Sequence, residues 1–179
     1  VVQVVTVNEN VPLLSDVYNF GDNPDDPADD FIPVDMVEVT FASRVHDPAL
    51  TISPGQPFSS VVFHTYSVVF DNGTNADGAD LNGDGQTDLY NFTAPMSAYV
   101  PIGSVGQAAV LVIDGGTKVE APIGCLGPLA SQIGECTGNE GNEFKVDALL
   151  TFYGTEETSG SDLEVQRGLT IRIAQFGDN

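Results

Sequence analysis

Short runs in which hydrophobic and polar residues alternate recur along this chain, whereas helical periodicity is hard to find. In the clearest run, apolar residues occupy every second position from Phe144 to Phe152, with Lys145, Asp147 and Thr151 between them. Successive side chains of a strand point to opposite faces, so this run predicts a strand with one buried and one mostly solvated face. Runs rich in β-branched and aromatic residues predict strands at Val1–Val7, Val34–Ser43, Ser60–Phe70, Asp88–Phe92, Met96–Val100, Gly106–Ile113, Lys118–Ala121, Phe144–Gly154 and Leu163–Phe176.

The connections between these strands are rich in Gly, Pro and Asp, which favour turns. Many short strands joined in this way predict an all-β fold, an antiparallel β-sandwich that is immunoglobulin-like in the broad sense, with long acidic loops. The chain has no Trp, so the Cys-Trp-Cys signature of antibody domains is absent. No repeat of fixed period is visible, and we expect a single domain over residues 1–179. The closing segments Leu149–Gly154 and Gly168–Phe176 resemble the last hairpin of secreted bacterial β-sandwich modules, which implies a fold and not an activity.

The charge of the chain narrows the choice of partners. There are 26 Asp and Glu against 5 Lys and Arg, giving a formal net charge of −21. Such a surface repels phosphate backbones and anionic lipid headgroups, so we expect neither a nucleic-acid partner nor a membrane-surface partner. We also expect no membrane insertion, because no segment approaches the roughly 20 apolar residues of a spanning helix. Divalent cations or high salt would relieve the self-repulsion, and the sequence does not separate the two.

One acidic segment has the spacing of a calcium loop. Asp80, Asn82 and Asp84 supply side-chain oxygens at alternate positions, and Asp88 closes the set. Gly85 permits the sharp turn between them, and the backbone carbonyl of Gln86 is a further oxygen donor. Calcium takes six to eight oxygen ligands, which alternating donors around a tight Gly turn can supply. The sequence therefore predicts a Ca²⁺ site at these five ligand residues: Asp80, Asn82, Asp84, Gln86 and Asp88.

The loop departs from the EF-hand at its twelfth position, where Asn91 stands in place of a bidentate Glu. The pattern D-x-N-x-D-G-x-x-D instead resembles the loops of integrin-type (FG-GAP) β-propeller repeats and, less closely, those of dockerins. The resemblance covers one copy of nine residues, so it implies a metal site and neither a propeller nor a cohesin partner. A plain Asp/Asn/Gly turn is the alternative interpretation.

Other polar residues are weaker candidates. Additional metal ligands could come from Asp71, Asn75 and Asp77 before the loop, or from Asp25, Asp26, Asp29 and Asp30, although the latter run meets no spacing rule and also fits a solvated loop. Asn72 and Asn91 match the N-glycosylation pattern, which so many Asn and Thr also produce by chance.

The chain begins without the basic region of a signal peptide, and we interpret it as a mature, exported protein. Cys125 and Cys136 flank a Gly- and Pro-containing loop. In an oxidising compartment a disulfide between them is expected, with free buried thiols as the alternative.

The first run, Val1–Val7, is β-prone and nearly uncharged. Strict alternation places Val1, Val5 and Val7 on one face and Val2 and Val4 on the other, so both faces would be largely apolar and in need of cover. Two explanations compete. The strand, within residues 1–10, either pairs inside its own sandwich or inserts into a neighbouring subunit by β-strand addition.

These observations lead to a functional expectation. The chain has no G-x-S-x-G nucleophile elbow and no Trp platform for sugars, so we expect a non-enzymatic protein. We expect a secreted, calcium-stabilised structural subunit that self-associates into an extracellular surface fibre through its first strand. The alternative is a monomeric calcium-dependent adhesin or carbohydrate-binding module that uses the loops beside the calcium site.

Overall fold

The computed structural model describes residues 2–20, 30–44, 60–71, 76–136 and 142–176. Within them lie ten strands: β1 (Val2–Val7), β2 (Leu13–Asp16), β3 (Asp35–Ser43), β4 (Val61–Asp71), β5 (Gly78–Ala79), β6 (Leu89–Tyr90), β7 (Phe92–Val100), β8 (Val105–Ile113), β9 (Glu143–Glu156) and β10 (Asp162–Ala174). The same residues contain four short 3-10 helices: Asn8–Asn10, Thr117–Val119, Ile123–Leu126 and Pro128–Gln132. No helix in these ranges has the length and apolar character needed to cross a membrane.

The strands form a sheet in the order β1-β3-β8, a sheet in the order β2-β10-β9-β4-β7, and the two-stranded pair β5-β6. This arrangement confirms the predicted all-β sandwich. The expected antiparallel pairing holds between all paired strands in the described ranges except β2, which runs parallel to β10. The predicted last hairpin is β9 with β10, which are paired from Asp162 opposite Thr155 to Ala174 opposite Glu143.

The core lies between the two larger sheets and follows from the alternation in the sequence. In β3, Val37, Val39 and Phe41 are buried while the residues between them are not. The Phe41 ring stacks on Phe63 of β4, with centroids 4.3 Å apart, and meets Phe152 of β9 edge-on at 5.1 Å. Aromatic contacts across the sheets thus fix the small sheet over the middle of the large one.

The region from residue 88 to residue 100 differs from the prediction of two strands broken before Met96. The structure has the very short β6 and then β7, which is continuous from Phe92 to Val100 and contains Pro95. Proline cannot donate to a ladder, and it is tolerated here because β7 is the edge strand of its sheet.

The predicted strand Lys118–Ala121 is wrong, because this segment contains the 3-10 helix Thr117–Val119. Asp114 redirects the chain: its Oδ1 accepts a hydrogen bond from the Thr117 backbone N–H at 3.0 Å, and its Oδ2 accepts from the Thr117 hydroxyl at 3.0 Å. Short polar side chains that bond nearby backbone groups compete with strand pairing in this way. Lys118 is turned into the interior, where it is 1 % exposed.

The first strand, β1, pairs antiparallel with β3 of its own chain. Its register shifts between Val4 and Thr6, so one extra residue is inserted at Val5. Val4 and Val7 are therefore both buried, while Val5 is 37 % exposed. The strict alternation assumed from the sequence is wrong across this bulge, and one face of β1, not both, is covered. Val1 lies outside the described residues.

The turn after β1 has unusual backbone geometry. Asn8, Glu9 and Asn10 have φ values of +48°, +53° and +63°, the left-handed region that side chains other than Gly disfavour. The turn leads into β2, which the sequence analysis missed, since Leu13–Asp16 is short. The turn thus carries the chain from β1, at the edge of the small sheet, to β2, at the edge of the large one.

Candidate metal centre

The predicted calcium loop is the loop of a small hairpin. Gly78 and Ala79 of β5 pair with Tyr90 and Leu89 of β6, and Ala79 and Leu89 are buried in the core. Gly78 is required by close approach, since a Cβ there would lie 1.8 Å from the Leu89 carbonyl oxygen. Both ends of the loop are therefore fixed to the body of the sandwich.

Asp80 organises the first half of the loop and is only 7 % exposed. Its Oδ1 accepts a hydrogen bond from the Gly83 N–H at 2.7 Å, and its Oδ2 accepts from the Gly85 N–H at 2.9 Å. Gly83 and Gly85 have φ values of +79° and +89°. The sequence predicts that Gly85 permits the sharp turn, and its positive φ confirms this prediction.

The remaining predicted ligands continue the turn. Asn82 Oδ1 accepts from the Asp84 N–H at 3.0 Å, and Asp84 Oδ1 accepts from the Gln86 N–H at 2.8 Å. Asp88 Oδ2 accepts from the Leu81 N–H at 2.6 Å, which closes the loop across its mouth. Each of these carboxylate and amide oxygens has a second lone pair, so accepting one N–H does not use up its capacity to bind a cation.

The pKa of Asp88 depends on the other carboxylates of the loop. Burial is the largest influence and raises the pKa of Asp88, and the negative charges of Asp84 and Asp80 raise it further, against hydrogen bonds from the backbone of Leu81 and Asn82. Bringing like charges together disfavours ionisation, and a bound cation would reverse that effect.

Among the described residues, no three Asp, Glu, His or Cys side chains meet in a group that could hold a metal ion. The oxygen donors of Asp80, Asn82, Asp84 and Asp88 have the chemistry that calcium prefers, and they stand around one turn. The Ca²⁺ site and the ligand role of the Gln86 carbonyl stay predictions.

Of the other candidate ligands, Asp71, Asp77 and Asp30 lie in the described residues. Asp71 is exposed at the end of β4, and the backbone carbonyl of Asp77 accepts from the Asn91 N–H at 2.8 Å. Asp30 Oδ2 accepts from the Tyr18 hydroxyl at 2.9 Å, which is the main reason that the pKa of Tyr18 is raised. The remaining candidates lie outside the described residues: Asn75, Asp25, Asp26 and Asp29, together with the glycosylation candidate Asn72.

Asn91 has a role that the sequence reasoning missed. Its Oδ1 accepts from the Phe70 N–H at 2.8 Å, and its Nδ2 donates to the Ala76 carbonyl at 3.1 Å. It thereby ties the end of β4 to the segment that enters the loop. The departure from the EF-hand pattern at this position was the available signal, because a residue that braces the loop cannot also be its bidentate ligand.

Cys125 and Cys136 form a disulfide with Cα atoms 5.5 Å apart, which confirms the predicted pairing. No protein-family model matches the chain, and no curated protein is detectably similar to it.

Proposed function

We propose that this protein is a secreted, non-enzymatic structural subunit that is stabilised by calcium and assembles into an extracellular fibre by exchanging β1 between copies. The observation that carries the proposal is the turn at Asn8, Glu9 and Asn10, with three successive residues in the left-handed region. In the closed chain this turn joins β1, which is paired with β3 of the same molecule, to β2 of the opposite sheet.

The strain in the turn favours exchange. A left-handed residue other than Gly costs about 1–2 kcal/mol, with Asn the best tolerated, so Glu9 is the costliest of the three. If β1 occupied the same place on a second copy, Val4 and Val7 would be buried as before while the turn was free to straighten. The closed and exchanged forms then differ mainly in the hinge, and tight hinges are a known route to strand exchange.

The surroundings of the turn show how it is held. Arg167 of β10 donates to Asn10 Oδ1 at 3.1 Å, and Asn8 Nδ2 donates to the Val11 carbonyl at 3.2 Å. These are few and exposed contacts, and exposed contacts of this kind contribute little stability. An exchange in which each copy gives its strand to the next, and does not receive one from the same neighbour, produces an open chain and hence a fibre.

Two further features support an extracellular role. The disulfide between Cys125 and Cys136 fits an oxidising compartment. The charge of −21 would oppose packing of subunits unless cations screened or bridged it, and a calcium-containing medium outside the cell supplies them.

The second candidate is a monomeric binding module, which is favoured by the pairing of β1 within its own chain. A groove of about 320 Å³ lies beside the turn, lined by residues that include Val7, Val11, Pro12 and Asp147. Asp147 is the register partner of Asp71, where the chain leaves β4 towards the calcium loop. In this reading the groove would bind a ligand, and β1 would not leave its sheet.

A cross-linking experiment separates the two candidates. Gln3 of β1 lies opposite Ala42 of β3, so we would mix a tagged chain carrying Gln3→Cys with a differently tagged chain carrying Ala42→Cys. Exchange predicts a disulfide-linked heterodimer of the two chains. The matched control pairs Gln3→Cys with Gln107→Cys, since Gln107 lies on β8, on the far side of β3. No cross-link above that control, at concentrations where fibres are sought by negative-stain microscopy, overturns the exchange proposal.

Two substitutions at Glu9 should move the equilibrium in opposite directions. Glu9→Gly removes about 1–2 kcal/mol of strain from the closed form, so oligomer formation should weaken roughly tenfold. Glu9→Pro fixes φ near −65° and forces the turn open, so assembly should increase. Glu9→Ala is the control, because it removes the charge and keeps the strain. Light scattering during size-exclusion chromatography measures the outcome, and identical states for the Gly and Pro variants would contradict the hinge mechanism.

A further inference from the structure

A buried cluster far from the calcium loop in sequence joins an amine to a carboxyl group. Lys118 Nζ lies 2.9 Å from Asp35 Oδ2, with the two side chains 0 % and 8 % exposed. The same Nζ donates to the Asp16 backbone carbonyl at 2.7 Å. These contacts remove the amine from solvent and hold it against the Asp35 carboxyl, while the charge of Asp16 also acts on it.

Three separate segments meet at this point. Asp35 is the first residue of β3, Lys118 follows β8, and Ser15 belongs to β2 of the opposite sheet. The Ser15 hydroxyl is completely buried and donates to Asp35 Oδ2 at 2.5 Å. Asp35 Oδ2, which faces the amine, therefore already accepts a hydrogen bond from another direction.

Burial acts on both groups in the direction of neutrality. It lowers the pKa of Lys118 and raises the pKa of Asp35, and in each case it is a larger influence than their mutual attraction. An unprotonated amine is a nucleophile, and a protonated carboxyl group can lose its hydroxyl as water. The ion pair and the neutral pair differ only by one proton moved from Nζ to Oδ2.

We propose that Lys118 and Asp35 condense to an intramolecular amide bond that links the segment after β8 to the start of β3. The neutral Nζ attacks Cγ of the protonated Asp35 carboxyl, and a C–N bond forms. The Cγ–Oδ2 bond breaks, Oδ2 takes one proton from the nitrogen, and one water molecule leaves. No atom is oxidised or reduced, and no other reactant is needed.

The site has the features that such a step requires. The folded chain holds nucleophile and electrophile in contact, which replaces an encounter in solution by a high effective concentration. Ser15 is a positioning residue that stabilises the departing Oδ2 through its hydrogen bond. Exclusion of bulk water from the cluster opposes hydrolysis of the product. This bond does not depend on strand exchange, and it would form in a monomer as well.

The mass of the intact protein tests the proposal directly. After folding, reduction and denaturation, the chain should be lighter than its sequence by one water molecule. Fragmentation should place the loss on a branched peptide that contains Asp35 and Lys118. The chain has two lysines, Lys118 and Lys145, so an amine-labelling reagent should modify one lysine of the denatured mature protein. A mass equal to that of the sequence, with both lysines labelled after prolonged incubation of the folded protein, overturns the proposal.

Substitutions distinguish the bond from a simple ion pair. Asp35→Asn offers an amide that would lose ammonia in place of water, so its mature mass should become identical to that of the wild type. Lys118→Arg should keep its full mass, while the matched Lys145→Arg variant of an exposed lysine should still lose water. Ser15→Ala should slow the mass change by tenfold or more. An Asp35→Asn protein that folds and retains its full mass would contradict the mechanism, because geometry and amine are unchanged in it.

Discussion

Two aspartates, Asp35 and Asp80, are equally buried, each with 7 % of its surface exposed, yet the chain accommodates them in different ways. Asp35 meets the Lys118 side-chain nitrogen and the Ser15 hydroxyl, both of them from distant parts of the sequence. Asp80 is held by the N–H groups of Gly83 and Gly85, which belong to its own loop.

The difference lies in where the compensating partner comes from. At Asp35 the partner is an amine of the chain itself, and the cluster is complete once the sandwich has folded. At Asp80 the donors are backbone dipoles, and the charges of Asp84 and Asp88 act on the same small region. The burial of Asp35 is therefore compensated within the chain, whereas the loop around Asp80 is expected to depend on the ions in solution.

Breaking the internal pair should have the largest effect. Lys118→Met leaves the Asp35 carboxyl buried without its amine partner, which should lower the free energy of unfolding by about 3–5 kcal/mol. Chemical denaturation measures the loss, with Lys145→Met on the exposed face of β9 as the control. A loss below about 1 kcal/mol would show that water or another group replaces the amine.

Removing calcium tests the other half of the comparison. Saturation at about 100 times the dissociation constant should add about 2.7 kcal/mol to the free energy of unfolding, which chelation would abolish. Asp84→Ala should reproduce most of that loss in the presence of calcium, while Glu164→Ala on β10 should not. Magnesium should substitute poorly, because it demands octahedral geometry and releases water reluctantly. Coinciding melting curves with calcium and with chelator would refute the site.

The smallest expected effect is the pH dependence of stability that arises from Asp88. Its pKa is raised from 3.8 in the folded state, so the folded chain without calcium binds more protons than the unfolded one between that value and the raised one. Its contribution to stability should therefore improve as the pH falls through this window and worsen as the pH rises.

The substitution Asp88→Asn tests whether the contribution of Asp88 to stability changes sign when calcium binds. In chelator at neutral pH, Asp88→Asn should stabilise the protein, because it removes a half-buried charge, whereas in calcium it should destabilise it by removing a ligand. Thermal unfolding of both proteins under both conditions measures the difference, with Asp84→Asn for comparison, since Asp84 is exposed. A change in stability of the same sign with calcium and with chelator would show that Asp88 is not a calcium ligand.

Much of the fold was predictable because alternation reports burial locally. β3 and β9 appear in the sequence as runs of alternating apolar residues, and both lie as predicted. The loop at Asp80 was equally visible, since its Gly and Asp spacing is itself the reason for the turn. The disulfide followed from two cysteines that had only each other as partners.

What the sequence did not reveal depends on contacts between distant residues. The bulge at Val5 is set by pairing with β3, and no pattern within seven residues encodes it. The sequence predicts Lys118 in a strand, because no local pattern reveals that its partner Asp35 lies on a distant element. The four residues of β2 are too short to show alternation, and they become a strand only because β10 offers them an edge.

That short parallel pairing also decides how a subunit would respond to force. Leu13 lies beside Ile171 and Asp16 beside Ala174, so β2 and β10 run side by side in the same direction. Tension applied to the chain before Leu13 and after Ala174 would pull the two strands lengthwise past each other. The backbone bonds between them would then be loaded together in shear, and none would be peeled open before the next. Under tension between these two points, this small ladder would act as the mechanical clamp of the sandwich.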